Sequence, residues 1–251
     1  MMLKTLELEL QLSKSQKMSQ SAGSVLHGVI MEHIDRRYAE QLHTQGLRPY
    51  TQYVVWDKER NGIFWRISSL RSDAAEEILE PIFALPSVIE LRQREETVTI
   101  KSKRYIRETS YKELAERYMT ASNEKDEIGF RFLTAVGLRQ NQGYAVFPQP
   151  EKMIDTLLRK WNAFSDADRL EEEQLAMKLA SNVFVKAYQL SLHPFAMEQT
   201  RIPGFRGMYA LSLMRAPLLT KKTLGMLADY AEFSGFGIKT ALGMGGAIRI
   251  R

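Results

Sequence analysis

Residues 6–12 read Leu6-Glu7-Leu8-Glu9-Leu10-Gln11-Leu12. Successive side chains of an extended chain point to opposite sides, so leucine at every second position makes one apolar face. The chain therefore opens on a half-buried strand. From Ala22 the spacing changes: Val25, Leu26, Val29, Ile30, Ile34, Tyr38 and Leu42 fall at intervals of three and four, the stripe of a helix laid on a sheet. One helix is expected from Ala22 to about His43, ahead of Gly46 and Pro49. Tyr53 to Trp56 reads as a second strand, and Asn61-Gly62 as the turn into a third at Ile63 to Ile67. Asp73 with Glu76 three residues on has the form of a capping box, opening a short helix that bends or stops at Pro81. Val98 and Ile100 mark a fourth strand that continues to about Ile106. The order β-α-β-β-α-β is that of the ferredoxin-like unit.

A helical patch at Tyr111 to Met119 is followed by the charged run Ser122-Asn123-Glu124-Lys125-Asp126-Glu127, where a boundary is expected between a first domain, 1–122, and a second, 123–251. The second half repeats the plan more loosely. A strand pair is expected at Ile128 to Val136 and Tyr144 to Phe147, then a helix carrying Ile154, Leu157, Leu158, Trp161 and Phe164 on one side. Strands follow at Phe184 to Leu190 and Gly207 to Met214, a helix at Leu218 to Phe233, and a closing strand at Ile248 to Ile250. The expected fold class is α+β, two tandem ferredoxin-like (RRM-like) domains. Such units host many unrelated activities, so function must come from particular residues.

Composition narrows the classes. The 251 residues are 44% apolar and 26% charged, which argues against a disordered chain. Thirty-five Lys and Arg against thirty Asp and Glu leave a formal charge of +5, a mild basic bias compatible with a polyanionic partner. Cysteine is absent, which removes disulfides, zinc–cysteine sites, iron–sulfur clusters and cysteine nucleophiles. No apolar run reaches the ~18 residues of a membrane span, and the opening residues do not read as an export leader. A cytoplasmic protein away from membranes is expected.

The most informative segment is Gly235-Phe236-Gly237-Ile238-Lys239-Thr240-Ala241-Leu242-Gly243-Met244-Gly245-Gly246, with five glycines in twelve residues. Such a stretch lets backbone N–H groups turn towards a ligand where a Cβ would intrude. Lys239 and Thr240 add a charge and a donor suited to phosphate. It fits neither the Walker pattern nor the dinucleotide fingerprint. The alternative reading is a glycine-rich connection imposed by tight packing of the last strand.

In this segment the sequence resembles the CRISPR-associated endoribonucleases that cut repeat RNA precursors, members of the RAMP superfamily, whose glycine-rich loop has the form G-φ-G-x-K-x-x-x-G-φ-G. Here it spans Gly235 to Gly245. The run Ile202-Pro203-Gly204-Phe205-Arg206-Gly207-Met208-Tyr209 resembles the strand entry preceding that loop, and Leu42-His43 with Arg48-Pro49-Tyr50 resembles the first-domain catalytic stretch. The resemblance covers essentially the whole chain. It implies metal-independent cleavage by the 2′-hydroxyl beside the scissile phosphate, leaving a 5′-hydroxyl and a 2′,3′-cyclic phosphate, with no cofactor.

Such chemistry needs a base, an acid and positive charge on the phosphorane. The resemblance assigns the histidine role to His43, at the carboxyl end of the expected helix, where the backbone dipole favours positive charge. Where the family often has lysine this sequence has Arg48, which can stabilise phosphorane charge but does not readily give up a proton. The tyrosine some members carry on the first helix corresponds to Met31, and Tyr38 lies two turns later. Among the four histidines, His27 is the reserve candidate and His193 reads as a loop residue. His27 and His33 make no i, i+4 metal pair, so zinc is disfavoured.

Lys101, Lys103 and Arg104 crowd one strand, and Arg201, Arg206, Lys239, Arg249 and Arg251 gather near the end of the sequence. If Arg201, Arg206 and Lys239 converge they make a phosphate track along which Gly235, Gly237, Thr240, Gly243 and Gly245 would also touch RNA. The implied partner is CRISPR repeat RNA, with effector-complex subunits and a second copy of the chain as further expectations. Two other readings remain: a non-catalytic RAMP-type RNA-binding subunit of an effector complex, and an unrelated double ferredoxin-like protein that takes a small phosphorylated ligand.

Overall fold

The computed structural model describes residues 2–14, 18–44, 46–91, 95–121, 125–167, 169–197 and 200–250. The alternating leucines lie in β1 (Met2–Leu12). They are followed by α1 (Ala22–His33), α2 (Arg36–Thr44), β2 (Tyr50–Asp57) and β3 (Gly62–Ser69). Next come the short α3 (Ser72–Ala74), a wide helical turn Ala75–Leu79, α4 (Glu80–Phe83), β4 (Val88–Leu91) and β5 (Glu96–Ser110). The sheet order is β2-β3-β1-β5-β4 with every neighbouring pair antiparallel. β1 and β2 thus run parallel with β3 between them, and β3 and β5 run parallel with β1 between them. These are the two interleaved split βαβ units of the ferredoxin-like fold. Leu6, Leu8, Leu10 and Leu12 share a core with Leu26 and Ile30 of α1 and with Trp65 of β3.

After α5 (Tyr111–Met119) the second sheet is built from β6 (Glu127–Val136), the small hairpin β7 (Leu138–Gln140) and β8 (Gly143–Ala145) standing apart from it. α6 (Pro150–Phe164), α7 (Leu175–Ala180), β9 (Phe184–Leu192) and a second hairpin, β10 (Phe195–Met197) with β11 (Thr200–Ile202), follow. β12 (Phe205–Ser212), α8 (Leu218–Ser234) and β13 (Ala247–Ile250) complete it. The order β13-β6-β12-β9, again all antiparallel, repeats the interleaving. The fold is two tandem ferredoxin-like units. Trp161 of α6 anchors the second core, meeting Tyr111 edge-on at 4.9 Å and Tyr230 at 5.3 Å. α5 packs into this second core through Tyr111, Leu114 and Tyr118. Its capping box, Ser110 with Glu113, was not picked out from the sequence. The expected boundary at residues 122 and 123 falls outside the described residues.

Three expectations need correction. The helix from Ala22 to His43 is two helices, because Ile34 turns extended (ψ 164°) and Asp35 starts a new one. The Asp35 carboxylate accepts the backbone N–H groups of Arg37 (2.8 Å) and Tyr38 (3.1 Å), satisfying donors that a helix start leaves free. The apolar stripe runs across this break, so periodicity does not register it. Second, Asp73 forms no capping box with Glu76: it lies inside α3, with Arg71 at the N-cap, and its carboxylate takes the Arg71 guanidinium (Nε 2.8 Å) and the Ala74 N–H. Third, Tyr144 pairs within the β7–β8 hairpin, not with β6.

On the face of the first sheet opposite the leucines, Glu7 is 2% exposed and accepts from Arg60 (2.8 Å), Arg66 (2.8 Å) and Arg104 (2.7 Å). Burial alone would raise its pKa, but hydrogen bonds from the three guanidiniums outweigh burial and hold the carboxyl below the usual range. Glu7→Ala should cost about 3–5 kcal/mol at pH 7, because it leaves crowded cations without their counter-ion. A lowered folded pKa stabilises above the unfolded value, about 4.3 for Glu, and the gain is lost as pH falls through the folded pKa. Urea midpoints of wild type and variant should therefore converge in acid; equal midpoints at pH 7 would refute this role.

Candidate active site

His43 sits exposed in the last turn of α2, and Arg48 follows where the chain approaches β2. Arg48 Nη1 lies 3.1 Å from His27 Nε2, and Tyr50 Oη lies 2.7 Å from His27 Nδ1. Burial first, then the charges of Arg48 and His43, pushes the His27 pKa down to about 4. Burial also raises the Tyr50 hydroxyl, against the neighbouring Arg48 charge. Residues far apart in sequence therefore gather at His27 of α1: Arg48 and Tyr50, before and at the start of β2, bond its ring, and His43 at the end of α2 lies near enough for its charge to act on it. The remaining candidates are occupied elsewhere. Tyr38 Oη donates to Asp73 (3.3 Å), and His33 Nδ1 donates to the Val29 carbonyl (2.9 Å).

The glycine-rich segment lies in the seam between the two units. A Cβ on Gly23, the second residue of α1, would come within 2.6 Å of the Leu242 carbonyl oxygen. Gln52 of β2 clamps the same place, its Nε2 donating to the carbonyls of Gly23 (2.6 Å) and Ala241 (3.0 Å). Gly23 and His27 are four residues apart on α1, hence on one face and about 6 Å along the axis. The loop thus abuts the face that carries the His27–Arg48 cluster.

Within the loop most donors are spent inside the protein. Phe236 N–H bonds Gly245 O (2.9 Å), Ile238 N–H bonds Gly137 O (3.0 Å), Gly245 N–H bonds Ala135 O (2.9 Å) and Gly246 N–H bonds Thr134 Oγ1 (2.9 Å). Thr240 is 8% exposed, and its hydroxyl accepts from Lys160 (3.1 Å), whose ammonium also holds the Ser234 and Gly235 carbonyls that end α8. Burial brings the Lys160 pKa down to about 7. Gly235, Gly237, Gly243 and Gly245 all have positive φ, and Lys239 shares that conformation at φ 55° with its side chain exposed. Lys239 is the cation this loop turns outward.

The β10–β11 hairpin bearing Arg201 shares a small core with the loop, Phe195 and Ile202 packing with Met244 and Ile238. Arg201 is exposed and Arg206, at the start of β12, is half-buried. Other basic residues have structural partners: Lys103 holds the carbonyls of Phe83 (2.8 Å) and Leu85, Arg104 joins Glu7, and Arg249 joins Asp229 (2.7 Å). Arg251 lies outside the described residues. Among the described residues no group of three or more His, Asp and Glu is placed to hold a metal ion, and no helix is long and apolar enough to cross a membrane.

The family model for the CRISPR-associated endoribonuclease Cas6 matches residues 130–247. A curated CRISPR-associated endoribonuclease Cas6 of Mycobacterium tuberculosis (strain CDC 1551 / Oshkosh) is 30% identical over 248 residues, 98% of this chain and 77% of that protein. The chain belongs to the Cas6 family. A Streptococcus thermophilus Cas6 is 28% identical over 220 residues, 88% of each chain. Among solved structures, a Thermus thermophilus Cas6 in a product complex superposes with a TM-score of 0.81 at 24% identity, covering 99% of this chain and 100% of that one. An RAMP protein binding different RNA substrates superposes at 0.64 with 12% identity, over 99% of this chain and 100% of that one. These likenesses show the shared fold.

Within this Cas6 fold, the structure brings His43 and Arg48 into one cluster and packs the hairpin of Arg201 against the loop of Lys239. It places Thr240 and the loop glycines largely inside the seam. In the sequence His27 is only the reserve candidate, and Tyr50 enters with the first-domain stretch without a role of its own. Their contacts cross 21 and 23 residues of sequence, a separation that local spacing does not encode. Lys160 was also missed, since on a helix pattern it reads as one more solvated lysine.

Proposed function

We propose that this chain cleaves CRISPR repeat RNA precursors without a metal, by attack of a ribose 2′-hydroxyl on the adjoining phosphate. The oxygen–phosphorus bond formed replaces the bond to the 5′-oxygen, which leaves, so the products end in a 2′,3′-cyclic phosphate and a 5′-hydroxyl. His43 takes the 2′-hydroxyl proton, the guanidinium of Arg48 compensates the charge gathering on the phosphorane, and water returns a proton to the leaving oxygen. Lys239, Arg201 and Arg206 hold the strand by its phosphates. The glycines Gly235, Gly237, Gly243 and Gly245, with Thr240, shape the loop that supports Lys239. The observation that supports this reading is that His43 and Arg48 both bear on His27, on the helix against which the glycine-rich loop packs, in a Cas6 fold. Effector subunits and a second copy of the chain stay expectations of the resemblance.

Labelled repeat RNA incubated with the protein in excess EDTA should be cut once per repeat, giving fragments whose cyclic phosphate opens on acid treatment. A single 2′-deoxy substitution at the cleavage position should block cutting. Cleavage that appears only on adding Mg²⁺, or that survives the deoxy substitution, would overturn the proposed chemistry. Binding without cutting would instead favour the RNA-holding subunit.

A further inference from the structure

We infer that His27 is a positioning residue: a neutral hydrogen-bond acceptor that fixes the guanidinium of Arg48 for the phosphate. This rests on the reaction proposed above and adds a part to it. The argument starts from donors and acceptors. Arginine can only donate, so the His27 Nε2 that faces Arg48 Nη1 at 3.1 Å must carry the lone pair. The ring proton then sits on Nδ1 and is donated to the Tyr50 hydroxyl oxygen at 2.7 Å. Tyr50 is 0% exposed and packed in the first core, so it is a fixed anchor for that ring. The two rings lie nearly parallel, with centroids 6.3 Å apart.

A second proton on His27 would set N–H against N–H and place an imidazolium beside Arg48, with His43 of α2 adding to the repulsion. Among the described residues, the charged and titratable groups that bear on the ring are Arg48, Tyr50 and His43, and no carboxylate is one of them. Its strongly lowered pKa agrees with this arrangement. His27 is thereby excluded as the acid or base of the reaction at neutral pH. Arg48 has five N–H donors; those tied to His27 and to the Tyr50 hydroxyl set the plane of the fork, and the rest remain for phosphate oxygens. A guanidinium without that tie samples many rotamers, and misplacement of a reacting group by about 1 Å can cost roughly a hundredfold.

The test is a double-mutant cycle on single-turnover cleavage of repeat RNA in EDTA, with circular dichroism melts as the folding control. His27→Ala should lower the cleavage rate by roughly ten- to a hundredfold while RNA affinity changes little. His27→Gln, whose amide oxygen can still accept from Arg48, should recover most of the loss. In an Arg48→Ala background, His27→Ala should cost nothing further. The pH–rate profile of His27→Gln should keep the wild-type acid limb, because the ring does not titrate there.

A folded His27→Ala protein that cuts at the wild-type rate, or full additivity with Arg48→Ala, overturns the positioning role while the proposed reaction stands. A wild-type protein that leaves the RNA uncut overturns the reaction itself. Should His27→Ala not fold, nitrogen-15 spectra of the wild-type imidazoles decide. A ring protonated on Nδ1 and unchanged from about pH 5 to 9 is expected, and one that titrates near the ordinary value of about 6.5 refutes the inference.

Discussion

Replacing His43 by alanine should leave the affinity for repeat RNA almost unchanged and slow its cleavage by about 10²–10⁴-fold, the usual range for losing a positioned proton-transfer group. The split between binding and rate follows from where His43 stands. It is exposed at the end of α2 and belongs to neither hydrophobic core, so its loss leaves the fold and the cationic residues in place. Alanine is a good helix former, and substitution in the last turn of α2 adds no strain. Single-turnover kinetics beside a filter-binding titration separate the two quantities. A variant that binds weakly and cuts bound RNA at the wild-type rate would make His43 a binding residue. Unchanged cutting would move the proton transfer to another group.

Gly237→Ala should destabilise the whole chain by at least about 2 kcal/mol and weaken RNA binding with it. The residue stands at φ +74°, and a Cβ there would fall 2.1 Å from the Gly137 carbonyl oxygen. That oxygen also accepts the Ile238 N–H, so it cannot retreat without losing a bond. Two penalties therefore add, the left-handed backbone of an L-residue and a backbone clash. Gly245→Ala meets the same fate, 2.0 Å from the Phe236 carbonyl at φ +74°. Gly28 is the control: it lies within α1 with nothing within 4 Å of a new Cβ, and alanine there should stabilise by about 0.5–1 kcal/mol. Thermal melts of the three variants give the comparison. A Gly237→Ala protein as stable as wild type would mean that the loop has room to move that the packing denies it.

Much of the fold was legible because its elements are carried by period. The leucines of β1, the Asn61-Gly62 turn and the stripe on α6 each state their structure within a dozen residues. The break at Ile34 and Asp35 was not legible, since a cap that is polar and an apolar stripe that continues give opposing signals. β4 is four residues long and the β10 and β11 strands three each, too short for alternation to emerge. At the site, His43 and Arg48 were reached through the resemblance. The environment of His27 is set by an arginine and a tyrosine across the domain, and only the folded chain joins them. The glycine segment was read as either a phosphate cradle or a packing device. Its N–H groups show the second use at most positions, and the outward Lys239 is what remains of the first.

The seam has a consequence for biosynthesis. Gly23 near the start of α1 and Gln52 on β2 close around Ala241 to Gly243, and Tyr53 forms the seat for Gly246, with a Cβ there only 2.6 Å from the ring. The half that emerges first from the ribosome therefore lacks a wall that is translated about 190 to 220 residues later. Until that stretch arrives, the faces of Gly23 and Gln52 that it covers are open to solvent, and the loop that carries Lys239 does not exist. The seam of a nascent chain therefore closes only once the segment from Ala241 to Gly246 has been made.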